Sequence, residues 1–553
     1  MSEPRHWWQD AVIYQIYPRS FQDSNGDGIG DLAGITERLD YLRALGIDAL
    51  WLSPIYPSPM RDFGYDVSDY IAISPDFGTM ADFQALLKAA HGRGLRVLLD
   101  LVMNHTSNQH PWFLESASSR ENPKRDWYLW RDGKPGERGR GRRPAPPNNW
   151  QSVFGGSAWQ WDERTGQYYL HSFLKEQPDL NWRNPELRAA MMDIIRYWLE
   201  MGVDGFRLDV ANCFLKDETL RDNPRRAFGL RPYDRQRHLY DFNQLDNLDV
   251  MRQIRATVDA YTGRMTIGEI YALPPGDTAV SAAYYANGAG LHMAFDFAFL
   301  FSPWRADAFA AAIDRWERAL DPDHAPFNWP NYTLSNHDQP RAISRYASGN
   351  EEETLARARV AVALLLTLRG TPFIYYGEEI GMRNGRIPRS RIQDPIGKLY
   401  WPIYKGRDAE RTPMQWSAEA QASFTSGEPW LPVNPDIVRV NVAAQQDDQK
   451  SLLNWYRTLI ALRQREVALR AGSYRRLSAP RSQTLCYLRE TEGARVFVAL
   501  NFAPSQQAIA LPDEGAWRVL LGSHYLERPE GEMLDSKALT LSGYGVLIAR
   551  RGR

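Results

Sequence analysis

Eight short apolar runs, most of them followed by an amphipathic stretch, constrain this chain more than any other feature. They are "AVIYQIYP" (11–18), "ALWLSP" (49–54), "RVLLDLV" (96–102), "GFRLDV" (205–210), "MTIGEI" (265–270), "LHMAFDF" (291–297), "YTLSNHD" (332–338) and "PFIYYGEE" (372–379). Each is of strand length and rich in β-branched, aromatic or other apolar residues, as buried strands are. Between them, "ITERLDYLRALG" (35–46), "MADFQALLKAAHGRG" (80–94) and "RAAMMDIIRYWLEMG" (188–202) carry the helical period. Strand–helix alternation predicts a parallel sheet. Eight units predict a closed (β/α)8 TIM barrel, an α/β fold.

The remaining chain falls into place around that barrel. Its first part spans 1–103. Residues 104–172 are rich in Trp, Tyr, Asn, Pro and Gly, and predict an irregular subdomain inserted after the third strand. Within it, "KPGERGRGRRPAPPNN" (134–149) reads as a solvated basic loop, with nucleic-acid contact a poor second. The barrel resumes over 173–472, with a smaller insertion near 213–250. From 473 to 553, "TLCYLRE", "RVFVALNF" and "YGVLIARR" alternate as short strands and predict a C-terminal antiparallel β-sandwich. A net charge of −1 recruits neither nucleic acid nor an anionic membrane. "VAVALLLTL" (360–368) is too short to span a bilayer. "MSEPRHWWQD" has no signal-peptide pattern. Cys213 and Cys486 sit in no motif and read as reduced thiols. A cytoplasmic protein, monomer or small homo-oligomer, is expected. The 19 Trp and 27 Tyr suit a protein that stacks aromatic faces on sugar rings.

Active sites of such barrels lie at the carboxyl ends of the strands. Those ends carry Asn104 and His105, Arg207 and Asp209, Glu269, and then Asn336, His337 and Asp338. A lone strand-end Asp is usually a helix cap. Three carboxylates with two imidazoles and a guanidinium on one rim point to chemistry. Three acids without a metal-ligand His pair suggest glycoside cleavage, with one carboxylate as nucleophile and one carboxylic acid as proton donor. Arg207 precedes Asp209 by two and shares its strand face, so it favours an ionised Asp209. Glu269 lies in apolar "TIGEIY" without a neighbouring cation in sequence, so burial favours its protonated form. Asp338 is left to bond hydroxyls beside the reacting carbon, with His105 and His337 as neutral donors.

"DLVMNHTS", "GFRLDVAN", "IGEIY" and "LSNHDQPR" resemble the four signature regions of the α-amylase family, glycoside hydrolase family 13, and "QPDLNW" (177–182) resembles a fifth. The resemblance implies Asp209 as nucleophile, Glu269 as general acid/base and Asp338 as transition-state stabiliser, with Arg207, His105 and His337 in support. It also bears on "DSNGDGIGD" (23–31). That stretch starts like an EF-hand loop, but its twelfth position is Gly34 rather than a bidentate Glu, and a strand precedes it. In the oligo-1,6-glucosidase and α-glucosidase branch, a similar loop holds one ion. The resemblance thus implies a structural Ca2+ or Mg2+ on Asp23, Asn25, Asp27, the Ile29 carbonyl and Asp31, and no organic cofactor.

"FGYDVSDY" (63–70) and "ERTPMQW" (410–416) narrow the substrate by the same resemblance. It implies that Asp66 and Arg411 clamp the 4-hydroxyl of a terminal glucose, that Tyr65 stacks at that subsite, and that Phe173 stands at the pocket mouth. The expected activity is that of a retaining, exo-acting α-glucosidase on small oligosaccharides of the maltose or isomaltose type, with transglucosylation accompanying hydrolysis. Val210, whose side chain should point away from that of Asp209 along the strand but at the strand end can still border the leaving-group subsite, goes in that branch with α-1,6 preference. "GKLYWPIYKGRDAERTPMQW" (397–416) looks more like α-1,4 enzymes, so action on both linkages is expected. Two rivals remain. A sucrose isomerase or trehalose synthase uses the same triad. A non-catalytic relative would lack the acids and carry a membrane helix.

Overall fold

A computed structural model describes residues 5–139, 143–272, 277–325, 327–512, 515–523, 529–534 and 538–551. Eight parallel strands form one sheet: β1 (Ile13–Ile16), β2 (Ala49–Leu52), β3 (Arg96–Leu101), β4 (Gly205–Leu208), β5 (Met265–Glu269), β6 (Met293–Phe295), β7 (Asn331–Thr333) and β8 (Thr371–Tyr375). All eight expected runs contain a strand. Hydrogen-bonded neighbours run β6-β5-β4-β3-β2-β1-β8-β7. At the seam between β6 and β7 a side chain bridges: Asn331 Nδ2 donates to the Ala294 carbonyl at 2.7 Å. The strands are almost wholly buried, as a sheet packed on both faces requires.

The outer helices bury their apolar stripes on the barrel. Met80–Gly92 starts at a capping box, with Thr79 accepting from the Asp82 N–H and Asp82 returning the bond. Pro185–Met201 starts with Pro at its first turn, capped by Asn184, and ends at Gly202 in the left-handed region. The single helix expected over 35–46 is two, Leu32–Glu37 and Leu39–Leu45, parted at Arg38 (φ −99°, ψ 4°).

The excursion after β3 runs on to the helix at Pro185, beyond the expected boundary at 172. A bridge between His105 and Asp179 joins its two ends. Its core is a three-stranded antiparallel sheet, Trp130–Arg131, Gln167–Leu170 and Trp159–Asp162. Trp150, Trp159, Tyr168 and Leu170 pack there. The basic loop forms an exposed pair, Lys134–Arg138 with Pro144–Ala145, and residues 140–142 lie outside the described residues.

The C-terminal unit holds β9 (Ser473–Arg476), β10 (Thr484–Thr491), β11 (Ala494–Asn501), β12 (Gln507–Ala510), β13 (Trp517–Gly522), β14 (Met533–Leu534), β15 (Ala538–Leu541) and β16 (Val546–Arg551). A six-stranded sheet, β9-β10-β11-β16-β13-β14, faces the pair β12–β15. Alternation explains how it docks. Leu485, Tyr487, Val496, Val498 and Leu500 join the barrel's core, while Cys486, Leu488, Phe497 and Ala499 build the sandwich's own. Both cysteines are free, buried and in different clusters. Among the described residues, no helix is long and apolar enough to cross a membrane.

Candidate active site

A cavity of about 280 Å³ opens at the carboxyl ends of the strands. It lies near the small end of ligand pockets, about 300–1,000 Å³. Asp209, Glu269 and Asp338 all line it, as do Tyr65, His105, Phe173 and Val210.

Arg207, on β4, organises the acids from beneath. Its Nη1 reaches Asp209 Oδ1 at 2.7 Å and Asp100 Oδ1 at 2.8 Å, and its Nη2 reaches Glu269 Oε2 at 2.5 Å. The sequence reading gave this cation to Asp209 alone. In the structure it is shared, because β5 lies beside β4 with Arg207 paired to Ile267 in register. Burial pushes Asp209 up to about 7, and Arg207 opposes that shift without cancelling it. Burial likewise pushes Glu269 up to about 8, again opposed by Arg207. Burial also acts to raise Asp338, but His337, Arg407, Arg411 and Arg207 outweigh it and hold Asp338 below the usual carboxylate range. The ordering is a firmly ionised Asp338, then Asp209, then Glu269 as the group that keeps its proton longest.

The imidazoles are neutral. Burial lowers His105 to about 4 and His337 to about 3. Gln15 Nε2 stands 2.7 Å from His337 Nδ1, which leaves Nε2 facing Tyr65 Oη at 2.6 Å and Asp338 at 3.2 Å. The Tyr65 ring stacks parallel to His337 and its hydroxyl donates to Asp100 Oδ2 at 3.0 Å. Phe173 tilts against His105 at the pocket mouth, with ring centroids 5.2 Å apart.

Two expected binding residues stand elsewhere. Asp66 is fully buried and accepts from Ser58 Oγ, Arg61 N and Asp62 N at 2.8–3.0 Å, so it ties its own loop. Arg411 is also fully buried. It donates to the His337 carbonyl and to Asp338 Oδ1, both at 2.7 Å, and braces Asp338 from behind. Asp62 and Arg407 do form an ion pair in the cavity wall, at 2.6 Å; Arg407 also reaches Asp394 at 2.6 Å and Asp338 at 3.1 Å. The reason is local. Phe63 (φ 49°) and Gly64 (φ 103°) reverse the chain after Asp62, so residues four apart face different ways. The 3-10 turn Asp408–Glu410 does the same between Arg407 and Arg411.

Val210 lines the cavity from just beyond the strand end. The strand ends at Leu208, and Val210 takes φ 36°, ψ 49°. A β-branched residue seldom adopts the left-handed region. Its N–H donates to Glu269 Oε2 at 3.2 Å, and its side chain lines the cavity beside Cys213 and Phe242.

Sequence reasoning also passed over Lys216. Its Nζ is buried and reaches Asp179 Oδ2 at 2.9 Å, Asn104 Oδ1 at 3.0 Å and the Cys213 carbonyl. It joins β3's end, the inserted subdomain and the loop after β4. "QPDLNW" gave the partner Asp179; no pattern singles out the lysine.

The loop 23–31 lies apart from the cavity lining. Asp23 Oδ1 accepts from the N–H groups of Asn25 and Gly26, Asp23 Oδ2 from Gly28, Asn25 from Asp27, and Asp27 from Ile29, at 2.8–2.9 Å. Gly28 sits at φ +91°, where a Cβ would lie 1.9 Å from the Glu428 carbonyl, so only glycine fits. Asp31 is turned to Ser24 and to the N–H of Gly34, capping a helix. Among the described residues, no three His, Cys, Asp or Glu side chains converge as a ready cation cage. The donor set, three carboxylates with an amide and a carbonyl, fits a hard cation in chemistry.

Residues 15–472 match the family model for the α-amylase catalytic domain. The chain belongs to the α-amylase family, glycoside hydrolase family 13. It is a glycoside hydrolase by that membership. It is 45% identical to a probable α-glucosidase of Rhizobium meliloti (strain 1021), covering 92% of this chain and 91% of that one. It is 40% identical to the oligo-1,6-glucosidase of Parageobacillus thermoglucosidasius, covering 94% and 95%. Among solved structures, an α-glucosyl transfer enzyme superimposes with a TM-score of 0.91 at 42% identity, covering 99% of this chain and 100% of that one. The trehalulose synthase of Pseudomonas mesoacidophila MX-45 gives 0.87 at 35% identity, with the same coverage.

Proposed function

We propose that this chain is a retaining, exo-acting α-glucosidase that releases α-glucose from the non-reducing end of short α-glucosides. One observation carries the reading: three carboxylates line a small cavity whose wall holds the Asp62–Arg407 ion pair. A charged pair there gives hydroxyls of a terminal glucose donors and acceptors, and leaves no path for further sugar units. Asp209 attacks the anomeric carbon while Glu269 gives its proton to the departing oxygen. Glu269 then takes a proton from water, which breaks the ester to Asp209 and returns α-glucose. One guanidinium holds both carboxyls, which suits the shorter retaining separation, about 5–5.5 Å, over the longer inverting one. Asp338, kept anionic, accepts hydroxyls as the ring flattens. Arg207, Tyr65, His105, His337 and Phe173 shape the glucose site, and Arg411 acts through Asp338.

A hard cation, Ca2+ or Mg2+, fits Asp23, Asn25, Asp27, the Ile29 carbonyl and Asp31, where it would stiffen the loop; no step of the chemistry needs it. The substrate partner is a small oligosaccharide, and we place the protein in the cytoplasm, without nucleic-acid or membrane partners, as a monomer or small homo-oligomer.

Glucosyl transfer is the second reading. Two structural neighbours favour it, an α-glucosyl transfer enzyme and a trehalulose synthase. Product analysis by NMR with maltose, isomaltose and sucrose separates the two. Glucose first released as the α-anomer, from maltose and isomaltose alike, supports the proposal. Sucrose converted mainly to an isomeric disaccharide would replace hydrolysis by isomerisation.

A further inference from the structure

Beyond the glucose site, one part of the cavity wall is built around a buried charge. Asp241 lines the cavity beside Val210, Cys213 and Phe242. Its Oδ2 lies 2.6 Å from His238 Nδ1. The other ring nitrogen, Nε2, lies 2.9 Å from the Tyr233 carbonyl, which can only accept. Nε2 therefore carries a hydrogen. The short contact from Nδ1 ties the ring to Asp241. The His238 ring is sandwiched between aromatic faces, Tyr233 with centroids 3.9 Å away and Phe242 at 5.4 Å. The ring is thereby fixed, and with it the Asp241 carboxyl. Its second oxygen, Oδ1, is closed from solvent and has no hydrogen-bond partner among the described residues. A buried acceptor without a partner is uncommon and asks for an explanation.

The position supplies one. Val210 donates its N–H to Glu269, the proton donor in the proposed function. The donor must face the departing oxygen, so the wall next to Val210 is the side where the second sugar sits. The opposite requirement, closing on the terminal glucose, is met by Asp62 and Arg407.

We propose that Asp241, positioned by His238, turns its unpaired oxygen into the cavity to accept a hydroxyl of the second sugar unit and so selects hydroxyl-rich leaving groups and acceptors over plain aryl ones. This rests on the α-glucosidase reading. Asp241 touches the sugar but not the reacting atoms, and His238 acts through it. The same contact receives an acceptor sugar once Asp209 carries glucose, so it also sets the balance of transfer against hydrolysis.

The test compares maltose with p-nitrophenyl α-glucoside, whose leaving group has the aromatic ring but no sugar hydroxyls. In Asp241→Ala the ratio of kcat/KM for maltose to that for the aryl glucoside should fall roughly ten- to hundredfold, the worth of a hydrogen bond to a charged group. Disaccharide formed from added glucose should fall with it. Asp241→Asn, which keeps the shape and one acceptor, should give an intermediate ratio. His238→Phe, which keeps the aromatic sandwich, should move the ratio the same way. Melting temperatures are read alongside. A parent that cleaved neither substrate would sink the α-glucosidase reading. An active parent whose ratio stays unmoved in the Ala and Asn variants overturns this inference alone, and a lowered melting temperature with that unmoved ratio assigns Asp241 to the fold. Should the Ala variant not fold, the ratio in the Asn variant decides.

Discussion

Replacing Lys216 by methionine should unlock three loops at once. Lys216 is 4% exposed and Asp179 is fully buried, with 2.9 Å between Nζ and Oδ2. At that distance the Coulomb attraction is about 6 kcal/mol at an effective dielectric of about 20. Desolvating the two charges takes back several kcal/mol each, so the pair adds little net stability. Breaking it is another matter. Asp179 would stay buried with only Ser172 bonds, at 2.9 Å to its N–H and 2.5 Å to its hydroxyl. An uncompensated buried charge of this kind costs about 3–5 kcal/mol. In the parent, burial acts to raise Asp179, but Lys216, His105 and the Ser172 bonds outweigh it and leave the carboxyl lowered. A lowered carboxyl stabilises the fold at pH values above its unfolded pKa, and that stability is lost as pH falls through the folded one. Lys216→Met should therefore lower the melting temperature at neutral pH and shrink the difference between parent and variant at acid pH. Because Asn104 orients His105 at 3.1 Å, KM for maltose should rise as well. The double variant with Asp179→Asn removes both charges and should recover much of the loss. Assays are calorimetry across pH and steady-state kinetics. A double variant no more stable than Lys216→Met alone would refute the buried-charge argument.

Three further outcomes follow from the site. The kcat/KM profile should be a narrow bell: activity rises as Asp209 ionises near pH 7 and falls as Glu269 loses its proton near pH 8, both values belonging to the coupled cluster. Glu269→Gln, assayed with an activated aryl glucoside, should lose the alkaline fall; a retained fall would move the acid role elsewhere. Added Ca2+ or Mg2+ should raise the parent's melting temperature but not that of Asp23→Ala/Asp27→Ala, and parent activity lost at once on chelation with melting unchanged would contradict a structural ion. Val210→Thr should shift the kcat/KM ratio towards maltose over isomaltose by about a hundredfold at most, since pocket contacts of this size are worth about 1–3 kcal/mol; an unchanged ratio removes Val210 as the determinant.

The barrel was legible because a two-sided parallel sheet needs continuous apolar strands, and each of the eight runs overlaps one. The acids were legible because this fold puts its chemistry at strand ends, where position along the chain nearly fixes position in space. Loops break that link. Asp62 and Asp66, and Arg407 and Arg411, are four apart in chemically similar pairs. Only the left-handed turn at Phe63 and Gly64, and a short 3-10 turn, decide which member faces the cavity. Val210 borders the cavity because the alternation rule stops where the strand does, at Leu208. The sharing of Arg207 between Asp209 and Glu269 is a property of the β4–β5 register, which no stretch of either strand encodes alone. Lys216 and its partner Asp179 belong to loops that meet only in the fold.

The central claim is that Asp209 carries the glucosyl group. The direct measurement is to trap it with 5-fluoro-α-glucosyl fluoride, whose fluorine slows the second step, and to map the labelled peptide by mass spectrometry. The account predicts one added fluoroglucosyl unit, on the peptide containing Asp209, and none in Asp209→Asn. A label on Asp338 or Glu269, or full inactivation without any covalent adduct, would contradict it.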